Sequence, residues 1–189
     1  MDAQTAPVDT RLTYDDLLLF PDDGKRHELI DGEHIVTPTP ITRHQRLVTR
    51  LTIGIGAHLD AHPGQGEVFA VSVDIVLTLF DVVVPDLIVI ASDQADIVSD
   101  KCIRGAPAIV VEVLSPRTRK RDAQAKRRLY ERSGVREYWL VDPELDLVQV
   151  FRSAEGRFGR ADVLTAEDHH TLTTPVLPGC AIDLPTLFR

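Results

Sequence analysis

The fold class is clearest in residues 108–141, AIVVEVLSPRTRKRDAQAKRRLYERSGVREYWLV. The first part of this stretch, 108–114, is a near-continuous apolar run, which is typical of a strand buried on both faces of a sheet. Residues 118–133 have helical spacing and end before Gly134, a residue type that often follows a helix. Residues 137–141 return to branched and aromatic side chains, which favour strands. The stretch therefore predicts a strand, a helix and a second strand, as in α/β proteins.

A hairpin is predicted upstream of this stretch, in RHELIDGEHIV, residues 26–36. The Asp-Gly pair at 31–32 is the strongest short signal for a two-residue turn between paired strands. Facing residues of a hairpin project to one side of it, and alternate residues return to that side. Glu28 and Glu33 are therefore expected on the same face.

Between the hairpin and residues 108–141, the sequence predicts a helix and several strands. The segment 42–60 places apolar side chains four residues apart, which is helical spacing, and its His44 is expected to pack or to cap. Segments 67–70, 73–79 and 82–90 are short and rich in branched residues, as strands are.

The last part of the chain, from residue 147, is expected to add two or three strands and a tail. A chain of 189 residues with 43% hydrophobic content is within the usual range for one globular domain. The sequence therefore predicts a single domain over residues 1–189, with an α/β fold in which helices flank a mixed sheet.

The composition favours a cytoplasmic location. Two cysteines are too few for a disulfide framework. The N-terminus lacks the basic start and apolar core of a signal peptide, and no segment approaches the ~20 apolar residues that span a bilayer. We therefore expect a cytoplasmic protein without membrane contact.

The charge is unevenly distributed along the chain. The net charge of −8 argues against a general nucleic-acid coat protein. Between Arg117 and Arg132, however, eight basic residues stand against two acidic ones. Such a basic stripe suits a local contact with a polyanion. A solvated helix face would have the same composition.

Two acids interrupt apolar strands: Asp86 in VVVPDLIVI and Glu112 in AIVVEVL. An unpaired buried carboxylate is unfavourable, so such acids are neutralised by a cation or a metal, or lie where a strand end reaches water. Pro85 favours a strand start, which would put Asp86 near such an end. If the two strands are neighbours, both carboxylates can meet at one hard divalent ion such as Mg²⁺ or Mn²⁺.

The helix that follows Glu112 carries Asp122, Lys126 and Tyr130 four residues apart, and this spacing puts them on one face. An exposed ion pair between Asp122 and Lys126, beside a half-buried tyrosine, would explain the pattern. A helix that packs back across the sheet could instead bring Lys126 toward the two acids.

Five segments carry a family resemblance: HELIDGE, VVVPDLIVI, IVVEVLSPRT, DAQAKRRLYERSGVREYWLVDP and LPGCAIDLPTLF. In order and spacing they resemble the Uma-two family of bacterial proteins, described as restriction endonucleases within the PD-(D/E)XK nuclease superfamily. The resemblance covers nearly the whole chain. It implies a restriction-endonuclease-like fold with a mixed central sheet flanked by helices. It also implies a metal, Mg²⁺ or Mn²⁺, held by Asp86, by Glu112 and by a backbone carbonyl near Val113.

The resemblance has one departure from the superfamily pattern. Leu114 stands where a lysine is expected, and Lys126 on the next helix is the residue that matches in this family. A glutamate of the first motif often completes such sites. Glu28 or Glu33 is similar to it here, and we favour Glu28.

These expectations describe a metal-dependent endonuclease that hydrolyses phosphodiester bonds in DNA. Its catalytic residues would be Asp86, Glu112, Lys126 and Glu28. Lys126 would orient or help to deprotonate the attacking water, or stabilise the transition state. The phosphate backbone of DNA would be held by Arg117, Arg119, Lys120 and Arg121, which position the substrate without reading bases.

Two other functions fit the same sequence. A non-catalytic nucleic-acid-binding or assembly module could keep the nuclease fold, since fold does not fix function. A hydrolase of small phosphoesters is the third possibility. A homodimer is also compatible with the sequence, because enzymes that cut both strands often act as twofold dimers.

Overall fold

The computed structural model describes residues 10–37, 39–70, 73–116 and 119–189. The helices are α1 (Tyr14–Leu17), α2 (Thr42–Ala61), α3 (Arg119–Arg121), α4 (Arg127–Ser133) and α5 (Leu184–Phe188), with a 3-10 helix at Ser92–Ile97 and a π-helical turn at Asp122–Lys126. The strands are β1 (Arg26–Ile30), β2 (Glu33–Thr37), β3 (Gly66–Ala70), β4 (Ile75–Thr78), β5 (Asp81–Val83), β6 (Leu87–Ala91), β7 (Ile103–Arg104), β8 (Ile109–Val113), β9 (Glu137–Asp142), β10 (Leu147–Ala154), β11 (Arg157–Phe158), β12 (Asp162–Thr165), β13 (Thr171–Thr173) and β14 (Ala181–Asp183). The predicted α/β class is confirmed. Within these ranges, no helix is both long and apolar enough to cross a membrane.

The larger sheet has seven strands in the order β11-β10-β9-β8-β6-β3, with β12 also paired to β10. It is mixed, because β8 runs parallel to β9 and antiparallel to β6. Side chains of β8 alternate between two apolar layers: Val111 packs in the layer of Leu51 from α2, and Val110 in the layer of Tyr130 from α4. Burial on both faces explains why residues 108–114 form an apolar run.

A second sheet has five strands in the order β2-β1-β5-β4-β7, and the chain leaves it for the larger sheet between β5 and β6. The sequence suggested one β segment over residues 82–90. The structure divides it at Val84, Pro85 and Asp86, because proline has no N–H to donate to a strand ladder. Asp86 therefore lies just before a strand, as its proline predicted.

The β1–β2 hairpin is confirmed in its register. Glu28 faces Ile35, and Ile30 faces Glu33. Both turn residues have positive φ, 54° at Asp31 and 77° at the following glycine. A two-residue turn of this kind needs positive φ at both positions, and the Asp-Gly pair adopts it readily.

The two predicted helices are present, and one of them contains a feature that the spacing did not predict. The helix expected over 42–60 is α2. Of the helix expected over 118–133, Thr118 lies outside the described residues, and the rest is α3, the π-helical turn and α4. Gly134 ends it in the left-handed conformation, φ 87°. The π-helical turn was not predicted; such turns are rare and often lie at functional sites.

The C-terminal part holds more elements than the sequence indicated. Two or three strands and a tail were expected after residue 147, whereas this part contains five strands, β10 to β14, and the short helix α5. The prediction was wrong because β11, β13 and β14 have only two or three residues each, which is too short for an alternation of apolar and polar side chains.

Candidate active site

Asp86 and Glu112 meet at one end of the β6–β8 pair. Leu87 lies opposite Val111 in the antiparallel register. Asp86, which precedes Leu87, therefore lies beside Glu112, which follows Val111. Both are buried, Asp86 to 5% and Glu112 to 4% exposure. The expectation that their strands are neighbours is confirmed.

Lys126 connects Glu112 to the hairpin. Its Nζ lies 2.8 Å from Glu112 Oε1 and 2.7 Å from Glu28 Oε1. The lysine is 1% exposed, so the alternative of an exposed ion pair with Asp122 is wrong. Tyr130, one turn further along the helix, donates its hydroxyl to the same Glu112 oxygen at 2.8 Å. The helical spacing thus placed the lysine correctly, on the face that covers the sheet.

Glu28 is held from several directions. The backbone N–H of Val84 donates to its Oε1 at 2.9 Å, and the Thr37 hydroxyl donates to its Oε2 at 2.8 Å. A more distant Arg121 guanidinium lies 3.8 Å from Oε2. Glu33, near the hairpin turn, is exposed. Of the two candidate glutamates, Glu28 is therefore the one that contacts Lys126.

Asp86 has three partners. Arg26 donates to Oδ1 at 3.0 Å, the Val113 N–H donates to Oδ2 at 2.9 Å, and the ring Nε2 of His44 lies 3.0 Å from Oδ2. The sequence predicts no site role for Arg26 and a packing or capping role for His44. Helical spacing could have placed His44 on the buried side of α2, together with Leu47, but not beside a particular acid.

The four ionisable groups differ in protonation. Burial raises the pKa of Glu112 to about 8; Lys126 opposes this shift, and the surrounding carboxylates add to it. Burial also acts on Glu28 and Asp86, but Lys126 beside Glu28 and His44 beside Asp86 outweigh it and lower both pKa values. Burial would lower the pKa of Lys126, yet Glu112 and Glu28 raise it, so the lysine stays an ammonium. Glu112 is thus the acid whose charge is least compensated.

Asp86, Glu112 and Lys126 line a cleft of about 370 Å³. Its walls are formed by Arg26, Thr37, Thr39, Pro40, Ile41, His44, Val84, Asp86, Glu112, Val113, Ser115, Pro116, Arg121, Asp122 and Lys126. The cleft therefore brings acids, bases and main-chain groups from both sheets and two helices into contact with the same space.

The donor set fits a hard divalent cation that keeps several waters. No group of three or more His, Cys, Asp or Glu side chains is placed to hold a metal in the part of the chain that the structure describes. A site of two carboxylates, Asp86 and Glu112, with main-chain oxygen and water matches what Mg²⁺ accepts. Structural zinc, by contrast, takes four protein ligands, mostly Cys and His.

The role of the Val113 carbonyl as a metal ligand stays a prediction, and the strand register is compatible with it. The Val113 N–H faces the β6 side, where it donates to Asp86. The register that sets Leu87 opposite Val111, continued by two residues, sets Val113 opposite Pro85. Since the two polar groups of one strand residue face the same neighbour and proline has no N–H, Pro85 cannot donate to this carbonyl.

The predicted DNA contacts on the basic stripe are partly paired with acids. Arg119 bonds Asp142 and Glu144, and Arg121 bonds Asp122. Lys120 is exposed. The fourth predicted contact, Arg117, lies outside the described residues. DNA contact at these positions stays a prediction.

Comparison with known proteins agrees with this fold. The fold is similar to a crystal structure from Anabaena variabilis ATCC 29413, described as a "putative nuclease belonging to DUF820", with a TM-score of 0.78 and 20% sequence identity over 94% of this chain and 97% of that chain. No curated protein matches the chain. A family model named Uma2, with the description "Putative restriction endonuclease", matches residues 13–185. The resemblance seen in the motifs is confirmed, and the chain belongs to the Uma2 family.

Proposed function

We propose that the protein hydrolyses phosphodiester bonds in DNA with Mg²⁺ or Mn²⁺, at the cleft that contains Asp86, Glu112 and Lys126. The observation that carries the proposal is the buried Glu28–Lys126–Glu112 arrangement next to Asp86. Burying three charges without functional need is unfavourable, and perturbed ionisable groups in a cleft are characteristic of active sites. Membership of a family described as restriction endonucleases supports the same reaction.

The metal would be held by Asp86, Glu112 and the Val113 carbonyl, with water in its remaining positions. When bound, such an ion lowers the pKa of water and offsets charge on the attacked phosphate. Because the pKa of Glu112 is about 8, this carboxyl gives up its proton most readily when a second cation joins Lys126.

Lys126 would act as a fixed positive charge and hydrogen-bond donor. Its pKa is raised, so it does not accept a proton from water near neutral pH. Held by Glu28 and Glu112, the ammonium can orient the attacking water or stabilise charge that develops on the phosphate. Glu28 would position this lysine, since it also receives the Val84 N–H and the Thr37 hydroxyl.

The non-catalytic binding module is the second candidate, and one observation favours it. All the contacts of Asp86 are already made by the chain itself, through Arg26, His44 and Val113. A metal would have to compete with the Arg26 guanidinium for this carboxylate. If the competition fails, the cleft binds nucleic acid without cutting it.

Cleavage of plasmid and single-stranded DNA with Mg²⁺, Mn²⁺ or EDTA tests the proposal. We expect metal-dependent cleavage that falls by ~10² or more in single-turnover rate for Lys126→Met. Glu33→Gln, on the same hairpin but exposed, is the matched control and should cleave like the unmodified protein. DNA binding without cleavage in any metal would favour the binding module. Turnover of a chromogenic phosphodiester without DNA cleavage would favour a small-molecule hydrolase.

The metal site has its own test in calorimetric titration with Mn²⁺. We expect the double variant Asp86→Asn, Glu112→Gln to lose binding that the unmodified protein shows. Equal affinity in both proteins would rule out these two residues as ligands.

A further inference from the structure

The side of the cleft formed by β1, β2 and α2 is chemically unlike the rest of it. It contributes Arg26, Thr37, Thr39, Pro40, Ile41 and His44, none of which is acidic. The acids of the lining, Asp86, Glu112 and Asp122, all come from the chain after β5. A metal and an anion brought to this cleft would therefore find partners on different sides of it.

The N-terminal end of α2 opens at this side without a side-chain cap. Ile41 is the N-cap residue, and it makes no capping hydrogen bond. The first turn contains no acid to balance the helix dipole. In a helix of 20 residues, the free N–H groups and the dipole at this end favour an anion.

His44 is an independent sign of a missing ligand. The residue is 4% exposed and lines the cleft. Its Nε2 faces Asp86, whereas its Nδ1 is buried and has no hydrogen-bond partner. Leaving a buried polar atom unsatisfied is unfavourable, and such an atom calls for a partner. Nδ1 is therefore the ring atom of His44 that can bond an anion's oxygen while Nε2 stays at Asp86.

We propose that the α2 N-terminus, His44 and Arg26 form a phosphate-binding subsite that adjoins the proposed metal site, since His44 and Arg26 both contact its ligand Asp86. It rests on the proposed function in one respect: the phosphate belongs to the nucleic-acid strand and is the one next to the phosphate that is cleaved. Backbone N–H groups, a guanidinium and an imidazole are the donors that phosphate oxygens accept from. The subsite positions the strand so that the neighbouring phosphate meets the acids.

Ile41 allows a test in which stability and binding change in opposite directions. Its backbone is extended, φ −79° and ψ 162°, which is what an N-cap requires. Ile41→Asp should cap the helix and raise the thermal midpoint, but its carboxylate should occupy the subsite and repel phosphate. Ile41→Asn should raise the midpoint without adding charge. Arg43→Gln removes a charge from the same turn outside the cleft, since Arg43 pairs with Asp146.

The first measurement is titration of metal-free protein with inorganic phosphate, followed by ¹⁵N NMR of the histidine rings. We expect the His44 Nδ1 resonance to shift on binding. Affinity should fall about tenfold or more in Ile41→Asp, less in Ile41→Asn, and little in Arg43→Gln. A His44 resonance that does not move, or an Ile41→Asp variant that binds phosphate like the unmodified protein, would overturn the subsite. Neither result depends on metal or turnover, so failure of the nuclease proposal is seen separately.

The second measurement identifies the source of the phosphate, with oligonucleotides that carry a 5′-phosphate or a 5′-hydroxyl. A terminal phosphate in the subsite predicts tighter binding of the phosphorylated strand, and loss of that preference in Ile41→Asp. An internal phosphate predicts an equal loss of affinity for both strands in Ile41→Asp. Unchanged binding of both strands by this variant would contradict the proposal.

Discussion

Two cations of one helical segment, Lys126 and Arg119, are each flanked by two carboxylates, yet only one of them is buried. Lys126 is 1% exposed, whereas the Arg119 side chain is 35% exposed. Water and salt screen the Arg119–Glu144 pair, and exposed pairs of this kind contribute about 0–1 kcal/mol. The other carboxylate, Asp142, is buried, but it also accepts the backbone N–H groups of Glu144 and Leu145. The same arrangement around Lys126 is removed from water, so each charge there depends on its protein partners.

The carboxylates show what this difference does. Asp142 beside Arg119 has a lowered pKa, because the guanidinium and two backbone N–H groups outweigh its partial burial. Glu112 beside Lys126 has its pKa raised to about 8, because burial and neighbouring acids outweigh one lysine. The exposed cluster is satisfied as it stands, whereas the buried one has a deficit of positive charge. The buried cluster can therefore accept another cation because its carboxylates are buried, since both clusters have the same number of carboxylates around one cation.

The largest expected effect is the loss of the buried cation. Lys126→Met leaves Glu28 and Glu112 without their shared partner, and should lower the free energy of unfolding by about 3–5 kcal/mol at pH 7. Urea unfolding measures the change. Adding Glu28→Gln to Lys126→Met removes a charge of the opposite sign and should recover part of the loss. A loss below 1 kcal/mol would make the buried cluster equivalent to the exposed one.

The pH dependence of stability should come next in size. Since the folded-state pKa of Glu112 is raised to about 8 from 4.5, the folded protein keeps a proton that the unfolded chain releases. The raised pKa of Glu112 stabilises the folded protein below pH 4.5, and this stabilisation, on the order of 1–3 kcal/mol, is lost as pH rises to 8.

Unfolding of metal-free protein between pH 5 and pH 8 checks this sign, with Glu112→Gln expected to show a flatter profile. Glu144→Gln, in the exposed cluster, should leave the profile unchanged. Equal slopes for unmodified protein and Glu112→Gln would refute the raised pKa.

Lys120 is a third cation of the same helical segment. It is exposed and has no acid partner among the described residues. If it contacts DNA, Lys120→Ser should reduce the slope of log affinity against log salt by about 1. Arg119→Ser should reduce it less, because Asp142 and Glu144 already compensate this guanidinium. Fluorescence anisotropy between low and moderate salt measures both slopes. An unchanged slope for Lys120→Ser would mean that this part of the basic stripe is a solvated helix face without DNA contact.

The smallest effect is expected from the exposed cluster itself. Glu144→Gln should change the free energy of unfolding by at most about 1 kcal/mol, and by less at high salt, because this side chain is 57% exposed. Urea unfolding at two ionic strengths measures it. A loss as large as that of Lys126→Met would mean that exposure does not distinguish the two clusters.

Local patterns in the sequence predicted much of this site. The Asp-Gly turn set the hairpin register and hence the position of Glu28, and helical spacing put Lys126 and Tyr130 on one face. The apolar runs around Asp86 and Glu112 marked two acids that a folded chain must neutralise. Each of these inferences depends only on residues that are close together in the sequence, so the sequence alone is enough to make it.

The parts that the sequence did not predict depend on distant contacts. His44 and Arg26 reach Asp86 from 42 and 60 positions away, and no local spacing identifies such partners. The π-helical turn before Arg127 has no residue pattern of its own. The switch between sheets at Pro85 was visible as a proline, but the identity of the second sheet was not.

The switch between sheets at Pro85 determines when the site can form during folding. Val84 gives its N–H to Glu28 in one sheet, and two residues later Asp86 receives the N–H of Val113 in the other. The carboxylates therefore acquire their partners only after both sheets have formed and docked, so no folding intermediate with a single sheet can contain the site. Protection of the Val84 and Val113 amides from hydrogen exchange should appear together during refolding, and the proposed cleavage should appear no earlier than that protection.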